Sequence, residues 1–369
     1  MPSSRDVPLV FGPMPESNGW PVEPAPVGLP ACSDWARSQH LDPVGSAGYY
    51  EGFLLVEQPL PWPFDVSSIP ELVEVAELAA AARLRLQAVI PAGRREVGGG
   101  TRGVDERGAQ EGGPGEGPGQ EGVEASKQAA GEVRRIVCYR GARPGWAGPL
   151  ARSERLAEVG SLADATAELL SQGPEPDEPE QGRSRVVDVL VCTHGRRDAC
   201  CGSRGMDLIS ELKRDPDFGG GGGNAGVRLW RTSHTGGHRF APTAVVLPAG
   251  TLWAWVTPAL LRAAAFGEGE VEPTLERYRG CATVGTPAQQ AVERAVLAEV
   301  GWPLMSSYRR ASELGDGTVR LESELSGTWE AVVREGRRLP QPDCRTSPEL
   351  ATKQSTEWVV EGLRQVVPA

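Results

Sequence analysis

Two short runs hold most of the residues able to do chemistry, VCTHGRRDACCGSRG from Val191 to Gly205 and WRTSHTGGHRFAPT from Trp230 to Thr243. The chain has only four histidines and seven cysteines, and these runs contain Cys192, Cys200, Cys201, His194, His234 and His238. Cys192 and Cys201 are thiols nine positions apart, and His234 and His238 are imidazoles four apart. Four soft or borderline donors of this kind suit a metal centre. They also describe a structural zinc site, but zinc fingers pair their cysteines two to four residues apart on a tight knuckle, whereas eight residues separate Cys192 from Cys201. The longer loop suits a larger object. In a two-iron two-sulfur cluster each iron takes two protein ligands, and exchanging two thiolates for imidazoles gives the ligand chemistry of a Rieske centre. The paired Gly236 and Gly237 disfavour helix between the histidines and permit close backbone approach, so this stretch reads as a ligand loop.

The neighbours of these residues have plainer roles. His194 reads as a hydrogen-bonding or loop-shaping residue rather than a ligand. Arg196, Arg197 and Asp198 either orient ligands or form a salt-linked turn, and Arg239 would offset negative charge on a reduced cluster. Cys32, Cys138, Cys281 and Cys344 stand far from both runs and read as unpaired thiols, with Cys32 the notable one because it opens the first folded unit. An odd, scattered cysteine set, without an apolar signal in the first thirty residues, implies a reducing compartment and a cytoplasmic location. A formal charge of −11 argues against nucleic-acid binding, which needs a basic face. Pro, Gly and Thr interrupt every apolar stretch well short of the roughly 20 residues a membrane span requires, so no membrane insertion is expected. No carboxylate pair with a special context suggests glycoside hydrolysis.

The positioning elements alternate between strand and helix. Gly52 to Glu57 is a predicted strand, Pro70 to Leu86 a predicted helix, and Val133 to Tyr139 a further strand. Beyond an acidic, Pro-rich linker the pattern restarts with a strand at Val186 to Cys192, a helix at Gly205 to Arg214 and a strand at Val227 to Trp230. A hairpin follows, its strands at Thr243 to Leu247 and Thr251 to Val256. Both chemical runs therefore follow predicted strands, where a rigid sheet holds accessible loops. A helix from Pro287 to Val300 carries the clearest start signal, with Thr286 as cap and Gln289 completing a capping box. Thr328 to Val333 is a late strand. Residues 93–132 contain thirteen glycines and no aromatic residue, which predicts a disordered insertion. Two α/β units in tandem result.

The Cys-Thr-His-Gly-Arg-Arg-Asp-Ala-Cys-Cys run and Ser-His-Thr-Gly-Gly-His-Arg-Phe-Ala-Pro resemble the sucrase/ferredoxin-like family, thioredoxin-like two-iron two-sulfur ferredoxins with bis-histidinyl ligation. The weaker Glu57 to Trp62 stretch (EQPLPW) and Tyr278-Arg279-Gly280 add to the likeness, which spans roughly residues 30–300. The resemblance implies a thioredoxin-like fold, a 2Fe-2S cluster, and cluster ligands that map to Cys192, Cys201, His234 and His238. Gly202 favours Cys201 over Cys200, since the family's second cysteine directly precedes a glycine. The expected organisation is a flexible N-terminus (1–29), an N-terminal thioredoxin-like unit (30–172) and a linker (173–182). A thioredoxin-like ferredoxin domain (183–268) and a helical and irregular C-terminal extension (269–369) follow. The expected function is one-electron transfer with proton coupling, between protein donors and acceptors that the sequence does not identify, and without sucrase activity. Two alternatives stay open. One is a structural zinc protein, and the other is a thiol-redox enzyme, although no Cys-x-x-Cys motif occurs.

Overall fold

The computed structural model describes residues 31–92, 131–174, 186–219 and 226–366. The N-terminus expected to be flexible, and all but the edges of the expected insertion and linker, lie outside these residues. A large mixed sheet of nine strands, flanked by helices, forms the body of the molecule, and a four-stranded antiparallel sheet follows it.

The large sheet begins with β1 (Gly52–Glu57), whose first five residues are all buried. Helix α2 (Val73–Ala81) crosses over to β2 (Leu84–Pro91), which pairs parallel with β1, as a crossover connection requires. β3 (Val133–Arg140) then pairs antiparallel with β1, and β4 (Ala151–Glu158) antiparallel with β3. Helix α3 (Leu162–Ser171) returns to pack with α2 over Leu54, Val56, Ile136 and Cys138. Odd and even positions of β1 part company here, because Phe53 and Leu55 face the opposite core with Tyr139 and Leu190.

The same arrangement repeats. β5 (Val187–Cys192) is followed by helix α4 (Ala199–Leu212) and by β6 (Val227–Thr232), parallel to β5. β7 (Ala244–Leu247) pairs antiparallel with β5, β8 (Thr251–Trp253) antiparallel with β7, and helix α5 (Pro258–Phe266) comes next. Each half thus has its first strand between its second and third, with the fourth outside. β2 and β6 join the halves by antiparallel pairing through Val89↔Thr232, Ile90↔Arg231 and Pro91↔Trp230, and β9 (Tyr278–Cys281) closes the far edge against β8.

Three expectations are corrected. The helix expected over Pro70–Leu86 ends at Ala81; Arg83 turns the chain with φ 55°, and Leu84 already belongs to β2. Helix α4 starts at Ala199 rather than Gly205, which places Cys200 and Cys201 on its first turn. The C-terminal extension is not irregular. After helix α6 (Pro287–Val300), with its Thr286 cap and capping box as expected, come β10 (Arg309–Gly315), β11 (Thr318–Ser323), β12 (Gly327–Pro340) and β13 (Gln354–Val366) in sequential order. Val319, Leu321, Ala331 and Val333 from this second sheet pack with Val292, Val296 and Leu297 of α6.

A fully buried ion pair fastens the second sheet to the first. Arg309 on β10 donates to Glu293 of α6 at 2.6 Å, and Glu293 also accepts from the Tyr278 hydroxyl at 2.8 Å and the Cys281 amide at 3.1 Å. Removing one partner leaves the other charged and dry, at a cost of about 3–5 kcal/mol. Arg309→Met is therefore expected to destabilise the chain by that amount in urea unfolding, and the double variant Arg309→Met/Glu293→Gln to recover part of the loss. An unchanged midpoint for the single variant would show that the pair does not hold the sheets together.

Candidate metal centre

Parallel pairing of β5 with β6 sets Cys192, the last residue of β5, opposite Thr232, the last of β6. Both chemical runs therefore leave the sheet at the same end. The loop after β5 leads into α4, whose N-cap is Asp198, with its side chain accepting from the Cys200 amide at 2.9 Å. The loop after β6 carries His234 through Gly236 and Gly237, at φ 82° and 70°, into a short turn at His238–Phe240. Two successive left-handed residues favour glycine, and a Cβ at Gly237 would meet the Arg279 guanidinium at 2.6 Å.

Cys192, Cys201 and His234 come together, with their Sγ and ring-nitrogen atoms all within 4.8 Å of one another. Cys201 Sγ lies 4.0 Å from His234 Nδ1. His238 stands beside this group, its ring 6.1 Å from that of His234, and turns Nδ1 to Asp198 Oδ2 at 3.2 Å and to Cys32 Sγ at 3.4 Å. Cys200 faces away from Cys192 and meets Cys32 and Cys344. The expectation that Cys32 and Cys344 are thiols remote from the motif runs is thus overturned, because the fold carries both to the start of α4. Cys138 and Cys281 do lie elsewhere, in the core of the first half and on β9.

The electrostatics favour bound cations. The Cys201 thiol, followed by His234, holds Cys192 well below its usual thiol value in spite of burial. Hydrogen bonds from Cys32 and Cys344 bring Cys200 down to about 4. In each group of sulfurs one thiol is thus held lower than its partners, the form that favours a thiolate ligand. Burial, then the nearby His234 and Arg239, lowers His238 to about 4, so its imidazole is neutral and free to be a ligand at neutral pH. Burial raises Asp198 to about 7.

The other segments of the family resemblance support the same site. Trp62 of EQPLPW packs edge-on against His194 with centroids 5.9 Å apart. His194 Nε2 pairs with the Pro63 carbonyl at 2.9 Å, and its Nδ1 accepts the His234 amide at 3.2 Å. These contacts fix the tautomer and give His194 the loop-shaping role. Arg279 of Tyr278-Arg279-Gly280 donates to the Gly236 carbonyl at 3.1 Å and to Ser46, while Arg85 donates to the His234 carbonyl at 2.6 Å. Arg197 stacks on Phe64 at 4.0 Å instead of closing a salt-linked turn, and Arg239 is buried against Phe240 at 4.4 Å. Burial lowers Arg279 to about 9 and Arg239 to about 10, so both guanidiniums call for negative charge nearby.

Residues 43–265 match the sucrase/ferredoxin-like family. No curated protein and no solved structure matches the chain.

Proposed function

Because the chain belongs to the sucrase/ferredoxin-like family, we propose that it is an iron-sulfur electron-transfer protein holding one 2Fe-2S cluster on Cys192, Cys201, His234 and His238. The observation that carries this reading is the convergence of Cys192, Cys201 and His234 from two loops at one end of the sheet. The donor set fits the group. Asp198 occupies Nδ1 of His238, which leaves Nε2 for a metal, the usual carboxylate–histidine–metal order. The repeated strand order, with the first strand between the second and third, supports reading each half as a thioredoxin-like unit.

A bound cluster of this kind supplies one-electron chemistry at a potential raised by its imidazole ligands, to about −150 to +300 mV in Rieske centres against about −400 mV for all-cysteine plant ferredoxins. The chain's own residues tune and protect it. Arg239 and Arg279 place buried positive charge beside the histidine loop and favour an added electron. His194 and Trp62 close the loop from the side of Pro63. Among the described residues no helix is long and apolar enough to cross a membrane, and a soluble carrier exchanging electrons with other proteins fits that.

The test is iron, acid-labile sulfide and zinc content on protein purified without oxygen, with visible spectra before and after dithionite. Two irons and two sulfides per chain, with colour that bleaches, are expected. The midpoint potential should fall as pH rises through the alkaline range, because each ligating imidazole can lose its second proton. Colourless protein with zinc at Cys192, Cys201 and His234 would replace electron transfer by a structural site.

A further inference from the structure

Cys32, Cys200 and Cys344 come from the start of helix α1 (Cys32–Ser38), the first turn of α4 and the segment between β12 and β13. Their sulfurs nevertheless lie 3.6 Å (Cys32–Cys200), 3.0 Å (Cys200–Cys344) and 3.5 Å (Cys32–Cys344) apart. Asp198 Oδ1 stands 3.3 Å from the Cys344 sulfur and 3.7 Å from that of Cys32. The four donor atoms lie within 4.8 Å of one another, all four residues are buried, and none belongs to the Cys192, Cys201 and His234 group. Among the described residues no lysine or arginine forms an ion pair with Asp198; its carboxylate meets the neutral ring of His238 and accepts the amides of Cys200 and Cys344. A buried carboxylate facing three thiols is a donor set suited to a cation.

The geometry points to a second metal centre, in which Cys32, Cys200 and Cys344 bind a zinc ion as thiolates and Asp198 Oδ1 supplies the fourth ligand. Zinc holds thiolates at about 2.3 Å in a tetrahedron, which spaces sulfurs by about 3.8 Å. Two of the three separations are already close to that, and the third must open. The sulfurs are too far apart for a disulfide, whose bond is about 2.05 Å. A buried site rich in sulfur and closed to substrate is a structural one. It staples α1 and the segment after β12 to α4, parts separated by up to 312 residues in sequence. Three thiolates and a carboxylate outweigh the charge of one zinc ion, and the buried Arg239, which feels the charge of Cys32 and whose Nε has no hydrogen-bond partner, offsets part of the excess. Asp198 then touches both centres, with Oδ1 among the thiols and Oδ2 on His238.

The site stands or falls independently of the cluster. The experiment measures zinc, iron and sulfide in the full chain purified without oxygen, together with X-ray absorption at the zinc edge. Stoichiometric zinc with three sulfur neighbours and one oxygen is expected, kept in His234→Ala and lost in Cys344→Ser while iron remains. Protein without iron but with this zinc would sink the electron-transfer reading and leave the second centre standing. Zinc absent from the wild type, zinc with a shell of two sulfurs and nitrogens, or a Cys200–Cys344 disulfide in the anaerobic protein each overturns the proposal. Should Cys344→Ser fail to fold, the zinc-edge shell of the wild type decides.

Discussion

Gly205→Ala is expected to destabilise the chain and release whatever metal Cys192 and Cys201 hold. Gly205 lies on the face of α4 that rests against the end of β5, where an added Cβ would stand 2.0 Å from the Cys192 carbonyl oxygen and 3.0 Å from its carbon. The obstacle is backbone on both sides, so α4 must move bodily away from β5. Overpacking of this kind costs about 3 kcal/mol or more, against which alanine returns about 1 kcal/mol through its better helix propensity. A net loss of at least about 2 kcal/mol corresponds, in a chain of this length, to a melting temperature lower by at least about 2–3 °C. The displacement also separates Cys201 on α4 from Cys192 on β5, so iron content falls with stability. Gly160→Ala is the control. A Cβ there meets nothing within 4 Å, and the change should stay within about 0.5 kcal/mol. If both variants melt together with the wild type and keep its iron, α4 is not packed against Cys192 as described.

That contact also explains what could be read from the sequence. β5 and the start of α6 were legible because their signals are local, namely a β-branched apolar run and a capping box with Pro287 at the first position. The start of α4 was hidden. Its first seven residues include Gly202 and Gly205, which argue against helix by propensity, whereas the tight approach to Cys192 requires glycine at 205. β2 was absorbed into the preceding helix because Leu84, Leu86 and Ala88 can continue a helical spacing as easily as a strand's. Of the second sheet only Thr328 to Val333, the first half of β12, carries a strand signal, and the rest is silent for another reason. β13 and the far half of β12 are largely exposed and rich in Arg and Glu, so they lack the alternation that betrays a half-buried strand.

At the candidate centre the same division holds. The two chemical runs are compact motifs, and their convergence follows from one strand pairing. Cys32 and Cys344 carry no local signal, and only the tertiary fold, acting across 166 and 146 residues, brings them to Asp198. Asp198 reads from sequence as a ligand-orienting or turn residue, and as cap of α4 it meets Cys32 and Cys344 on one side and His238 on the other.

Cys200 and Cys201 give the sharpest expected contrast between neighbouring residues. Successive residues on an α-helix point about 100° apart, so two adjacent thiols on the first turn of α4 serve different partners. Cys201 faces Cys192 and His234, and Cys200 faces Cys32 and Cys344. Cys201→Ser replaces a thiolate by a hydroxyl that stays protonated near neutral pH, and should abolish iron and sulfide binding at the first group. Cys200→Ser leaves that group intact and should keep the visible spectrum, its bleaching by dithionite and the iron content of the wild type. Both substitutions are nearly isosteric and equally buried, and a thermal melt of each variant separates a loss of folding, which the zinc site expects of Cys200→Ser, from a loss of iron alone. Iron lost from Cys200→Ser and kept by Cys201→Ser would exchange the two cysteines' roles and move the cluster to the Cys32 side of α4.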